Sequence, residues 1–220
     1  MLTFKLRSFL MIILCSAALI EPAFSQVRLK IVDQNNAPLP NAVVEYAGAK
    51  SYKHARKDTV YVMDQVDKQF APRVLIIPED SLVSFPNSDD IRHHVYSFSA
   101  AKTFELKLYA GKPKSPIRFD NRGVVVMGCN IHDSMVGYIY VSSSENTFMS
   151  NAKGEILLAN DLPLQTRLQV WHPNSIIGLS NHTSLTIDQA ALDNGEVTLM
   201  ITINEPEPRD SFEELNDYEY

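Results

Sequence analysis

Residues 123–141 read GVVVMGCNIHDSMVGYIYV. Two apolar runs, Val124–Met127 and Val136–Val141, flank a polar stretch that contains Cys129, His132 and Met135. Runs this short, rich in valine, isoleucine and tyrosine, predict strands rather than helices. The three distinctive side chains, spaced by three, then fall on the loop between two strands, where a tight turn can aim them at one point. Outward from here the same signature recurs. Further runs are Val27–Val32, Ala42–Tyr46, Val74–Ile77, Leu82–Phe85, His94–Phe98, Phe104–Tyr109, Ile156–Leu158, Leu168–Trp171, Ser184–Ile187 and Val197–Ile203. Turn clusters such as Asp33-Gln34-Asn35-Asn36, Asn87-Ser88-Asp89-Asp90 and Asp193-Asn194-Gly195 separate them. Twelve short strands at this spacing predict an all-β chain of two sandwiches, with one short helix expected near Thr59–Lys68.

The 220 residues are 45% hydrophobic and 21% charged, a globular composition. Acidic residues outnumber basic ones 26 to 20, which argues against a nucleic-acid binder, since such a protein needs a basic face. Two cysteines exclude a disulfide scaffold, an all-cysteine zinc site and a thiolate-held iron–sulfur cluster. Lys5 and Arg7, the apolar run Phe9–Ile20 and Ala23-Phe24-Ser25 form a secretory signal over residues 1–25. The run is shorter than the ~20 apolar residues of a span, so no membrane span remains after cleavage. Cleavage after Ser25 removes Cys15 and leaves Cys129 as a lone thiol in an exported, oxidising setting. Such a thiol is buried and inert, paired to another chain, or bound to metal. The tail 205–220 carries seven acids against Arg209 and is expected to be disordered.

A second source of imidazole, His93-His94, opens a strand 36 residues before Cys129. One thiolate, two imidazoles and a weak thioether make a trigonal set with a long axial bond, which suits copper in both Cu(I) and Cu(II). Zinc rarely uses methionine, and calcium and magnesium want oxygen. A binuclear centre needs two bridging thiolates, so one ion is expected. Successive strand residues face opposite ways, so only one of the two adjacent histidines can serve. His94 shares a face with Tyr96 and Phe98, His93 with Val95, and parity alone leaves both open. His54, in the basic loop 50–57, and His172 and His182, which lack partners at ligand spacing, read as ordinary histidines. No nucleophile–base pair or phosphate loop is present, and no further histidine cluster offers the second metal centre of a copper oxidase or nitrite reductase.

These residues resemble the cupredoxin family of blue copper proteins. Plastocyanins and amicyanins share an F-x-P element, matched by Phe70 and Pro72, and an Asn/Asp-rich lead into a histidine, matched by PNSDDIRHHV at 86–95. They also share a G-x5-C-x2-H-x(2–4)-M element, matched by Gly123, Cys129, His132 and Met135. Residues 60–142 are similar, more closely, to bacterial methylamine-utilisation-type cupredoxin-like proteins, through FPNSDDIRHHVYSF at 85–98 and GCNIHD at 128–133. The resemblance implies a Greek-key sandwich holding one copper through His93, Cys129, His132 and Met135, with His94 in the place of a family asparagine. The sequence departs from plastocyanin at Val125 and Met127, where aromatics are usual, and at Asn130-Ile131, which lacks a proline brace.

The flanks resemble a carboxypeptidase-regulatory-like, Ig-like sandwich, on residues 27–46 and 151–173. The implied organisation is a discontinuous sandwich, 26–50 plus 145–204, with a copper domain at 58–143 inserted in or packed on it. The function implied is that of a periplasmic, mononuclear type 1 copper protein that carries electrons to and from redox partner proteins and is not an enzyme. Two other readings fit the residues: a copper-delivery module without redox traffic, and a non-catalytic interaction protein.

Overall fold

The computed structural model describes residues 26–47, 59–113, 115–158 and 162–204. The expected signal segment 1–25, residues 50–57 with His54, and residues 205–220, expected to be disordered, lie outside the described residues. Among the described residues no helix is long and apolar enough to cross a membrane.

Among the described residues the chain is all-β apart from one short helix. In order, the strands are β1 (Arg28–Val32), β2 (Val43–Tyr46), β3 (Val60–Val62), β4 (Asp64–Val66), β5 (Gln69–Ala71), β6 (Val74–Pro78), β7 (Ser81–Ser84), β8 (His93–Ser99) and β9 (Lys102–Tyr109). There follow β10 (Ile117–Phe119), β11 (Gly123–Cys129), β12 (His132–Ser142), β13 (Thr147–Met149), β14 (Glu155–Leu157), β15 (Arg167–Trp171), β16 (Thr183–Thr186), helix α1 (Gln189–Asn194) and β17 (Glu196–Met200). Each of the twelve apolar runs carries one of these strands. The helix expected near Thr59–Lys68 is instead β3 and β4, because Val60-Tyr61-Val62 favours extended backbone and Asp67 and Lys68 turn the chain back with positive φ. The helix that does form is capped at Asp188, whose carboxylate accepts from the Ala191 N–H, and stops at Gly195 in the left-handed region.

The strands stack in layers. Sheet β14-β1-β17 faces sheet β13-β2-β15-β16 across an apolar core that includes Leu29, Ile31, Val44, Ile156, Leu168 and Val170. A five-stranded sheet, β6-β12-β11-β8-β9, faces β10-β7-β3 across a second core with Ile77, Val83, Val95, Phe119, Val125, Met127 and Ile139. A third cluster, Val43, Val74, Tyr138, Tyr140 and Trp171, joins the β2/β15 face to the β6/β12 face. Strands β11 and β12 are therefore covered on both sides, which explains why they read as continuous apolar runs rather than alternating ones. Along β12, Ile139 and Val141 point to one core while Tyr138 and Tyr140 point to the other.

Strand β1 pairs in parallel with β17 and antiparallel with β14, while β2 pairs with β13 and β15. The segment between β2 and β13 supplies the five-stranded sheet, its facing sheet and the β4–β5 hairpin.

Candidate metal centre

Strand β11 ends at Cys129 and β12 begins at His132, so only Asn130-Ile131 separates them. The expected loop is thus a hairpin tip with an irregular partner strand. Gly128 faces Val136 and Cys129 faces His132, which leaves Asp133, Ser134 and Met135 bulged out of the ladder. On the other side, β8 runs antiparallel to β11 and brings His93 to the same end of the sheet.

Cys129 Sγ lies 3.7 Å from Nδ1 of His93 and 3.7 Å from Nδ1 of His132. Ligand atoms of these three residues all fall within 4.8 Å of one another. An ion bound at about 2.0 Å to nitrogen and about 2.3 Å to sulfur, with trigonal angles, holds its N and S donors roughly 3.7 Å apart. The three donors therefore fit one transition ion. Cys129 and His93 are buried and His132 is partly exposed. Met135 is fully buried in the bulge and belongs to the same apolar cluster as Cys129.

The two adjacent histidines part company. His93 faces inward with Val95 and Ser97. His94 faces outward, edge-on to Tyr96, with Nε2 3.0 Å from Glu105 Oε1 but out of line for a hydrogen bond. Aromatic parity misleads here, since Phe98 is 81% exposed. His172 is buried, with Nε2 3.2 Å from the Pro40 carbonyl and Nδ1 accepting from the Asn174 N–H. His182 contacts the Tyr140 hydroxyl through Nε2. Neither histidine belongs to the cluster.

Asp89 is a site residue that the sequence reading treats only as part of a turn. Its Oδ2 lies 2.6 Å from His93 Nε2. The same carboxylate accepts the backbone N–H groups of Asp67 at 2.6 Å and Lys68 at 3.0 Å. Burial pushes the Asp89 carboxyl up, but the Lys68 N–H, the His93 ring and the Asp67 N–H outweigh it and hold the group below its ordinary value. His132 is held below the usual imidazole range, first by burial and then by the nearby His93 and Lys68, against the opposing charge of Asp89. The available signal for Asp89 was an acid four residues before His93. Asn87 braces the same segment, its amide donating to the carbonyls of Ile91 and Tyr109. Beside them a cleft of about 380 Å³ is lined by Asp67, Lys68, Asp89, Ile91 and Ser134, among others.

No protein-family model matches the chain, and no curated protein does. Among solved structures, the chain is similar to a Cu-containing nitrite reductase from Thermus scotoductus SA-01, at 24% identity over 44% of this chain, with a TM-score of 0.37. It spans 25% of that enzyme's chain. It is similar to a mutant of amicyanin in its reduced Cu(I) form, at 15% identity over 45% of this chain and 98% of that one, with a TM-score of 0.35. It is also similar to a purple cupredoxin from Nitrosopumilus maritimus, at 22% identity over 39% of this chain and 100% of that one, with a TM-score of 0.33.

Proposed function

We propose that this protein binds a single copper ion through Cys129, His93 and His132, with Met135 as a weak axial donor, and that it carries electrons. The observation that carries this reading is the cysteine sulfur flanked at 3.7 Å by one nitrogen from each of two imidazoles. A thiolate favours Cu(I), imidazoles accommodate Cu(II), and a set that satisfies both states suits a one-electron couple. Bound copper supplies that couple, together with an intense thiolate-to-metal absorption. The residues do the rest. Cys129 and His93 are held on neighbouring strands of a packed sheet, so their donors move little when the charge changes. His132, partly exposed at the hairpin tip beside the exposed Ile131, offers a ring edge toward a partner. The proposed partners are other redox proteins, docking transiently over this tip. The protein is proposed to be a carrier rather than an enzyme.

The proposed setting is the periplasm, supported by the leader pattern of Lys5, Arg7, Phe9–Ile20 and Ala23-Phe24-Ser25. The proposed organisation is a sandwich of 26–50 plus 145–204 interrupted by the copper unit at 58–143. It is supported by the pairing of β1 with β14 and β17, across the whole intervening segment.

The test is to load the purified mature protein with Cu(II) and record visible and electron-paramagnetic spectra. Strong blue, green or purple colour with narrow hyperfine splitting is expected, and Cys129→Ser abolishes it. A pale wild-type spectrum, or one unchanged by Cys129→Ser, overturns the assignment; a pale but readily exchanging site is what a delivery module would give.

A further inference from the structure

The bare nitrogen that His93 turns toward Cys129 is Nδ1, and its other nitrogen meets the Asp89 carboxylate at 2.6 Å. An ionised carboxylate has no proton to give, so His93 Nε2 must carry the hydrogen. In the neutral ring that leaves Nδ1 as a lone pair aimed into the cluster. The carboxylate is itself held in place. Asp67 and Lys68 occupy the tip of the β4–β5 hairpin with φ of 52° and 55°, which directs both backbone N–H groups to Asp89. The Ser88 hydroxyl ties the same segment to Asp64 on β4. Asp89 is thus clamped by an element that supplies no ligand, and its negative charge stands directly behind an imidazole of the cluster.

We propose that Asp89 is a positioning residue which locks His93 in the Nε2–H tautomer and biases the site toward the more highly charged metal state. The second half rests on the copper reading above. The physical reasons are two. A hydrogen bond to a carboxylate raises the basicity of an imidazole ligand and fixes its orientation. A fixed negative charge behind the ligand favours Cu(II) over Cu(I), and a low-dielectric, largely buried setting strengthens it. The β4–β5 hairpin then acts on the metal through Asp89 without touching it.

The experiment has two arms. In the metal-free wild-type protein, nitrogen-15 NMR of the imidazoles should show His93 protonated at Nε2 and bare at Nδ1. A proton on Nδ1 overturns the proposal whether or not copper is the natural ion. In the copper-loaded protein, Asp89→Asn should shift the Cu(II)/Cu(I) equilibrium about tenfold toward Cu(I), about 59 mV for a one-electron couple. Asp89→Glu, which restores the charge, should recover most of that shift. A thiolate absorption present in both wild type and Asp89→Asn, with equal potentials, overturns the proposal while leaving copper binding intact. A wild type that takes up Cu(II) without that absorption brings down the copper reading and with it the claimed bias. Should Asp89→Asn fail to fold, the tautomer measurement on the wild type still decides.

Discussion

His93 and His94 are neighbours in sequence and opposites in role, and strand geometry is the cause. One ring is buried against Cys129; the other lies outside the sheet near Glu105. Replacing His93 with alanine should cost more than about a hundredfold in Cu(II) affinity, since even outer-shell changes around a ligand cost about 10–100-fold. His94→Ala should leave affinity and spectrum unchanged, and competition titration with a chelator separates the two. At Met135, leucine should retain copper and raise its potential, because a weaker axial donor disfavours Cu(II); voltammetry checks this. An unaltered potential would show that the buried thioether only packs. Much of this site was legible. Cys129 and His132 are close in sequence, and their donors meet at the hairpin tip, while Met135 is buried in the same apolar cluster as Cys129. The choice of His93 was not legible from parity, because Tyr96 and Phe98 look like core residues and yet lie on the outer face. Asp89 stayed hidden because its role depends on where the β4–β5 hairpin falls, a contact between segments some twenty residues apart.

At the scale of elements, the hairpin of β11 and β12 carries the fold. Its apolar runs are plain in the sequence because burial on both faces leaves a strong pattern. Strands β3, β4, β5, β10 and β13, of three residues each, are not, because so short a segment has no period to detect; β14, equally short, shows only through its unbroken apolar run Ile156–Leu158. Helix α1 escapes for the same reason, its six residues spanning less than two turns. Long-range packing is equally invisible in sequence, and Gly137 on β12 is an example. A β-carbon there would stand 2.7 Å from Cβ of Phe70 and 2.9 Å from its ring. Phe70 is buried on the short strand β5, so it has little room to yield. Gly137→Ala should therefore destabilise the protein by about 1–3 kcal/mol, the usual cost of overpacking a core. Urea denaturation measures it. The loss should be smaller in a Phe70→Ala background, which removes the ring carbons at 2.9 Å though not the Cβ, and a double-mutant cycle with zero coupling would contradict the contact.

For the whole molecule, the stack of layers depends on a polar seam as well as on the aromatic cluster of Tyr138, Tyr140 and Trp171. Glu45 on β2 accepts from the Tyr140 hydroxyl at 2.9 Å and from the Ser143 hydroxyl at 2.8 Å. Burial, then Glu45, push the Tyr140 phenol far above its ordinary range, so it remains a donor at any working pH. Nearby, Arg73 stacks over Tyr138 and reaches Asn174, next to His172. His172 is pulled down to about 4, chiefly by burial, against the opposing effect of its bond to Pro40. Protonating its Nδ1 would also break the bond it accepts from Asn174. Above the ordinary imidazole value of 6.5, folded and unfolded chains are both neutral here and the residue adds no pH dependence. As pH falls below that value the unfolded chain takes a proton that the folded one refuses, so stability drops; below about 4 both are protonated and the slope ends. Across that window His172 alone should remove roughly 3 kcal/mol, at 1.36 kcal/mol per pH unit. His132 and His182, both lowered by burial first, add to the loss in the same direction. Urea midpoints of the metal-free protein should therefore fall between pH 7 and pH 4.5. His172→Gln keeps a donor for Pro40 but takes no proton, so it should flatten the profile even if it lowers stability at pH 7. A slope that survives the substitution undiminished would mean that this seam does not govern the acid response.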